Sequence, residues 1–169
     1  MSTAFRLIVL LCGAAILLAA CETTPVTGRS QIMLVSENEE RQMGLQAYRQ
    51  VLAKEPLSNN AQAIALVEKV GRRIAAAAER PPAEMWRAPN YRWEFKVIEK
   101  NEPNAFCLPG GKVAVYTGLL PITRTAAGLA TVIGHEVAHA LARHGAERMS
   151  DQMVASVGTA AVAATLAAT

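Results

Sequence analysis

"GHEVAHALARHG", residues 134–145, places His135 and His139 four positions apart with Glu136 between them. A helix turns 100° and rises 1.5 Å per residue, so the two histidines lie about 40° apart around its axis and about 6 Å apart along it. Their imidazoles can then converge on one ion. With three histidines and thirteen glutamates in 169 residues, chance supplies H-E-x-x-H only about 0.004 times per chain of this composition. The spacing therefore points to a bound metal, and one Zn2+ per chain is the ion this pattern takes.

The surrounding stretch, roughly 124–142, consists mostly of alanine, leucine, valine, isoleucine and glycine. It reads as a buried helix, apolar nearly all round. Two histidines and a glutamate inside such a helix need partners, because an unpaired buried polar group costs a few kcal/mol. Zinc held by His135, His139 and a third protein ligand keeps an open position for water and lowers the pKa of that water towards about 7. Glu136 lies on the flank of the same face. It is the candidate general base, taking the water's proton during attack on a peptide carbonyl and passing it to the departing amine. The chemistry expected is amide hydrolysis without a covalent intermediate.

No third ligand is obvious nearby. His144 is nine residues from His135, so a continuous helix turns it about 180° away. A helix end at Gly145 would be needed to let it swing back. Glu147 lies eight residues and about 12 Å of helical rise beyond His139. Cys107 as a nucleophile served by His135 is disfavoured: alternation in an apolar strand makes it a small buried hydrophobe, and nothing nearby lowers its pKa.

Upstream of the motif, "LPGG" at 108–111 has proline then glycine in the order of a type II turn, whose second central position needs a positive φ. It joins "NAFCL" to "KVAVYTG" as a hairpin. "YRWEFKVI", 91–98, alternates apolar with charged residues, the period of a strand with one wet face. "ERPPAEMWRAPN", 79–90, is broken by three prolines and reads as a connecting loop in which Trp86 covers apolar surface. Before it, Ile64, Val67, Gly71, Ile74 and Ala78 share one face of a helix from about 60 to 78. Ser36 and Glu39 form a capping box that starts a helix over about 37–53, stopped before Pro56. The fold class expected is α+β, with amino-terminal helices, a small sheet with a hairpin, and the H-E-x-x-H helix.

The first residues read as an export signal. "MSTAFR" carries one positive charge, and residues 7–18 form an apolar run too short for a comfortable membrane span. The run ends in "LAAC", 18–21, which resembles the lipobox of bacterial lipoproteins and makes Cys21 the expected lipidation site. Removal of 1–20 leaves 149 residues with 16 basic and 14 acidic groups. That near-neutral balance argues against nucleic acid as a partner. Glu22, where an aspartate would signal retention at the inner membrane, leans towards the periplasmic face of the outer membrane. Residues 21–35 read as a polar tether and 36–169 as the folded body.

Taken together, "PVTGRSQ" at 25–31, "PNAFCLPGGKVAVYTGLL" at 103–120 and "GHEVAHALARHGAERMS" at 134–150 resemble the CAAX prenyl protease and Oma-like family of zinc metallopeptidases, in particular its bacterial lipoprotein members. The resemblance implies a zincin-like fold, zinc ligands His135 and His139, catalytic Glu136, polypeptide substrates, and a part in quality control of misfolded cell-envelope proteins. It also implies a glutamate on a later helix as third ligand and a further downstream histidine. Thr169 precedes both, so the chain reads as the amino-terminal portion of such an enzyme or as a truncated, non-catalytic relative that binds extended polypeptide. Relatives of this kind bind substrate as an added strand at a sheet edge, which by resemblance falls near Asn104, Ala105 and Phe106.

Overall fold

Local signals in the sequence set the first two helices. The computed structural model describes residues 21–23, 28–80 and 89–166. The export segment and Trp86 lie outside the described residues. Helix α1 (Glu37–Lys54) starts at the expected capping box, where Glu39 N donates to Ser36 Oγ at 3.3 Å and Ser36 N donates to Glu39 Oε2 at 3.0 Å. Helix α2 (Ala61–Ala78) starts at Asn60, whose side chain accepts from Gln62 N and Ala63 N, both at 3.1 Å. Its expected stripe is the one that packs: Val67, Gly71 and Ala78 are buried, with Ile64 and Ile74 half-buried against the same core.

Strand β1 (Cys21–Thr23) pairs antiparallel with β2 (Ser30–Ile32). The end of the stretch read as a tether is docked on the body. Gln31 and Val35 are buried, Leu34 N donates to Ser150 Oγ at 2.9 Å, and Arg29 meets Glu147 at 2.6 Å.

The main sheet has the order β3 (Glu94–Ile98), β5 (Lys112–Tyr116), β4 (Ala105–Leu108), with β3 parallel and β4 antiparallel to β5. The hairpin turns as expected, with φ +86° at Gly110 and Gly111 N donating to Leu108 O at 3.2 Å. Strand pairing begins three residues later than the sequence alternation does. Tyr91 and Trp93 instead form a ring ladder onto Phe95, and Glu79 takes hydrogen bonds from Asn90 N, Tyr91 N and Trp93 Nε1. One face of the sheet, with Phe95, Val97, Val113 and Val115, packs on α2 and on helix α4 (Ala126–Leu141). The other face, with Ile98, Ala114 and Tyr116, packs on α1 through Tyr48.

A 3₁₀ turn (Thr117–Leu119) and a short helix α3 (Leu120–Thr123) lead from β5 into α4, and helix α5 (His144–Leu166) follows it. Among the described residues no helix is long and apolar enough to cross a membrane. The architecture is α+β.

Gly71 lets α2 sit directly on the Phe95 ring, because a Cβ there would overlap ring atoms Cδ1 and Cε1. Gly71→Ala is expected to push that ring off its stack with Trp93 and cost about 1–3 kcal/mol, outweighing the gain of up to ~1 kcal/mol in helix propensity. Urea unfolding followed by circular dichroism checks this. An unchanged midpoint would contradict the close approach.

Candidate metal centre

Helix α4 begins where Thr125 accepts a hydrogen bond from Gly128 N at 3.0 Å. It is fixed to the core by one stripe, Leu129, Ile133, Val137 and Ala140. The expectation of a helix buried all round is corrected here, since Ala126, Ala127, Thr131, His135, Ala138 and His139 are exposed among the described residues. The physical reason is that alanine is apolar in composition yet asks little of its surroundings, so a run of small residues does not require burial on every side. The polar groups of the motif therefore need no compensating partner on grounds of burial. The weight of the metal reading passes to their geometry.

That geometry is convergent. His135 Nε2 and His139 Nε2 are 3.0 Å apart, with ring centroids 4.5 Å apart and planes at 90°. Two nitrogens each about 2.0–2.1 Å from one tetrahedral ion would be separated by about 3.3 Å. The pair fits zinc with only a small opening of the rings. Among the described residues, no group of three or more His, Cys, Asp and Glu side chains is placed to hold an ion together.

Glu136 is half-buried, on a helix that packs against β4. Its charge reaches Cys107 on that strand, whose thiol is pushed up to about 12, first by burial and then by Glu136. A thiol held protonated in this way is no nucleophile at neutral pH, which agrees with the sequence argument against it.

The register decides what β4 offers. Tyr116 N donates to Asn104 O at 2.9 Å, and Ala105 lies opposite Val115. Antiparallel pairs alternate between bonded and non-bonded, so Asn104 and Phe106 turn their carbonyls into the sheet, while Ala105 and Cys107 turn their main-chain groups outward. Asn104 N also donates to Glu102 O at 2.9 Å. The Phe106 ring points to the α1 side, edge-on to Tyr48 and Tyr116. Ala105 and Cys107 pack on the α4 side.

Two features at the end of α4 escaped the sequence reading. The helix stops at Leu141, and the chain turns at Arg143, which has φ +57°. The break thus comes before His144 and not at Gly145. His144 is brought back so that its Nδ1 is 2.6 Å from Nδ1 of His139. Burial lowers its pKa, as does His139, while Glu147 acts in the opposite direction. The second feature is a buried ion pair: Arg143 Nε donates to Glu40 Oε2 at 2.8 Å, and its Nη2 donates to Val35 O at 2.9 Å. Burial raises the pKa of Glu40, against the pull of Arg143. A signal for Glu40 was present, because Glu40, Gly44 and Tyr48 recur every four residues along the buried face of α1.

With this arrangement in view, comparison with known proteins gives a consistent result. Residues 61–169 match the family described as Peptidase family M48. The chain belongs to peptidase family M48. It is similar to two mitochondrial metalloendopeptidases named OMA1. That of Schizosaccharomyces pombe is 36% identical over 132 residues, covering 76% of this chain and 37% of that protein. That of Saccharomyces cerevisiae is 34% identical over 142 residues, covering 80% of this chain and 41% of that protein. The β-barrel assembly-enhancing protease of Escherichia coli K12 is 29% identical over 133 residues, covering 79% of this chain and 26% of that protein. The chain thus spans well under half the length of these M48 relatives.

Glu40→Ala strips the buried guanidinium of its carboxylate and is expected to cost about 3 kcal/mol, read from the shift in a denaturant midpoint. A loss below about 1 kcal/mol, the size of an exposed pair, would show that the contact is not formed in solution.

Proposed function

We propose that this chain belongs to a lipid-anchored, zincin-like metalloendopeptidase that hydrolyses peptide bonds in misfolded cell-envelope proteins. The observation that carries the reading is the 3.0 Å convergence of His135 and His139 through their Nε2 atoms, one helical turn apart, in a chain of family M48. His135 and His139 hold one Zn2+, which when bound supplies a Lewis acid for the scissile carbonyl. Glu136 takes a proton from the attacking water as the new C–O bond forms, then delivers it to the leaving amine nitrogen as the C–N bond breaks. The third ligand belongs, by family resemblance, to a glutamate on a later helix.

Substrate enters this scheme as an extended strand. The outward main-chain groups of Ala105 and Cys107 offer hydrogen bonds that accept many sequences, on the strand whose Cys107 thiol feels the charge of Glu136. Of the three residues expected to line this strand, Ala105 presents its main chain directly, while Asn104 and Phe106 hold the edge in register from within the sheet. Cys21 carries the lipid, and the docked segment 29–35 keeps the body close to the membrane surface. The bacterial relative named for β-barrel assembly supports the envelope as the setting, as does the lipobox at 18–21.

A second reading, a non-catalytic relative that binds extended polypeptide, is favoured by the lack of a three-ligand group among the described residues. Casein cleavage separates the two. In the whole protein, carrying the later-helix glutamate that the resemblance implies, wild type is expected to cleave, with activity removed by a chelator and restored by zinc, and Glu136→Gln is expected to retain zinc while losing 10²-fold or more, about the contribution of a positioned general base. Equal cleavage by the two proteins would refute the assigned mechanism. For the anchor, Cys21→Ser is expected to move the protein from the membrane to the soluble fraction on cell fractionation. Persistence with the membrane would count against lipidation.

A further inference from the structure

A neutral imidazole carries one proton, so the partner of one ring nitrogen decides what the other can do. His139 presents Nε2 to His135 at 3.0 Å and Nδ1 to His144 at 2.6 Å. If the proton of His139 sits on Nε2, that nitrogen is a donor and cannot ligate. If it sits on Nδ1, Nε2 offers a lone pair. We propose that His144 is a positioning residue that accepts the Nδ1 proton of His139 at its own Nδ1, fixing the tautomer and ring angle in which His139 Nε2 can bind an ion. His144 keeps its own proton on Nε2. This inference rests on the metal reading above and deepens it.

Linked contacts hold the corner that delivers His144. Arg143 occupies the left-handed region at φ +57°, a conformation that costs a non-glycine residue of order 1 kcal/mol and persists where its surroundings enforce it. Those surroundings are Glu40 and the Val35 carbonyl, both on Arg143's buried side chain. The Arg143 carbonyl then accepts from Glu147 N at 3.0 Å and starts α5. Glu147 itself meets Arg29 at 2.6 Å, clamping the first turn. His144 is thus held beside His139 by the backbone and not by its own packing, since it is only partly buried. A contact with the remote nitrogen of a metal-binding histidine is the general means of setting its tautomer, and loss of such a partner lowers metal affinity about 10–100-fold.

The test uses the whole protein with His144→Phe and His144→Gln, the glutamine amide oxygen keeping an acceptor. In zinc-free wild type, ¹⁵N NMR is expected to show His139 with its proton on Nδ1, and in His144→Phe a mixture of tautomers. Zinc affinity, measured by competition with a chromogenic chelator, is expected to fall 10–100-fold in His144→Phe and to recover most of that in His144→Gln, with melting temperatures of the zinc-free forms unchanged. A wild-type His139 protonated on Nε2, or equal zinc affinity in wild type and His144→Phe, would overturn the role of His144 while leaving the metal reading intact. A wild type that binds no zinc, or binds it unaltered by His135→Ala, would instead overturn the metal reading itself.

Discussion

The contact on which the arrangement depends is the buried pair between Glu40 and Arg143. It joins residues 103 positions apart and ties three parts of the chain to one point: α1 through Glu40, the segment before it through Val35 O, and the corner between α4 and α5 through Arg143 itself. Desolvating two charges offsets most of their mutual attraction, so the pair is a weak source of net stability. Its contribution is specificity. A left-handed arginine between two helices is one of several ways for the chain to turn, and the buried partners select it. One Glu40 oxygen accepts no hydrogen bond among the described residues, which adds to the cost and makes the geometry that remains more exacting.

Parts of this fold were legible because their causes are local. The capping box at Ser36 and Glu39, the stripe of α2 and the Leu108–Gly111 turn each depend on residues within a few positions of one another. The α4 corner depends on a carboxylate in another helix, and no spacing rule within 134–150 reports it. For the same reason His144 was turned away by an argument that is sound for a continuous helix and fails once Arg143 breaks it. The exposure of one side of α4 was hidden differently. Alanine-rich faces look the same in sequence whether they are covered or open, and only the three larger residues of the stripe, Leu129, Ile133 and Val137, mark the side that packs.

The geometry of the candidate site is legible to the extent that it is carried by spacing. His135 and His139 share a helix, so their convergence follows from helical geometry alone. What periodicity could not give is the relation between Glu136 and the sheet. That relation comes from the hairpin register, which puts Cys107 on the α4 side and its main-chain groups at the outer edge. The burial of the thiol and the charge of Glu136 act in the same direction on Cys107, so this cysteine is kept neutral.

Helix α4 separates folding from chemistry by using different faces for each. Leu129, Ile133, Val137 and Ala140 bind it to the core, and none of them is one of the motif's three polar residues. His135 and His139 are exposed and Glu136 is half-buried, so exchanging any of the three removes little apolar contact and leaves the stripe whole. Variants at these positions therefore test the proposed ligation and proton transfer without collapsing the helix. The reverse holds at Glu40 and Arg143, which touch no reacting atom yet fix where the chain goes after His139. Damage there would reach the site through the position of His144, with His135 and His139 still one helical turn apart.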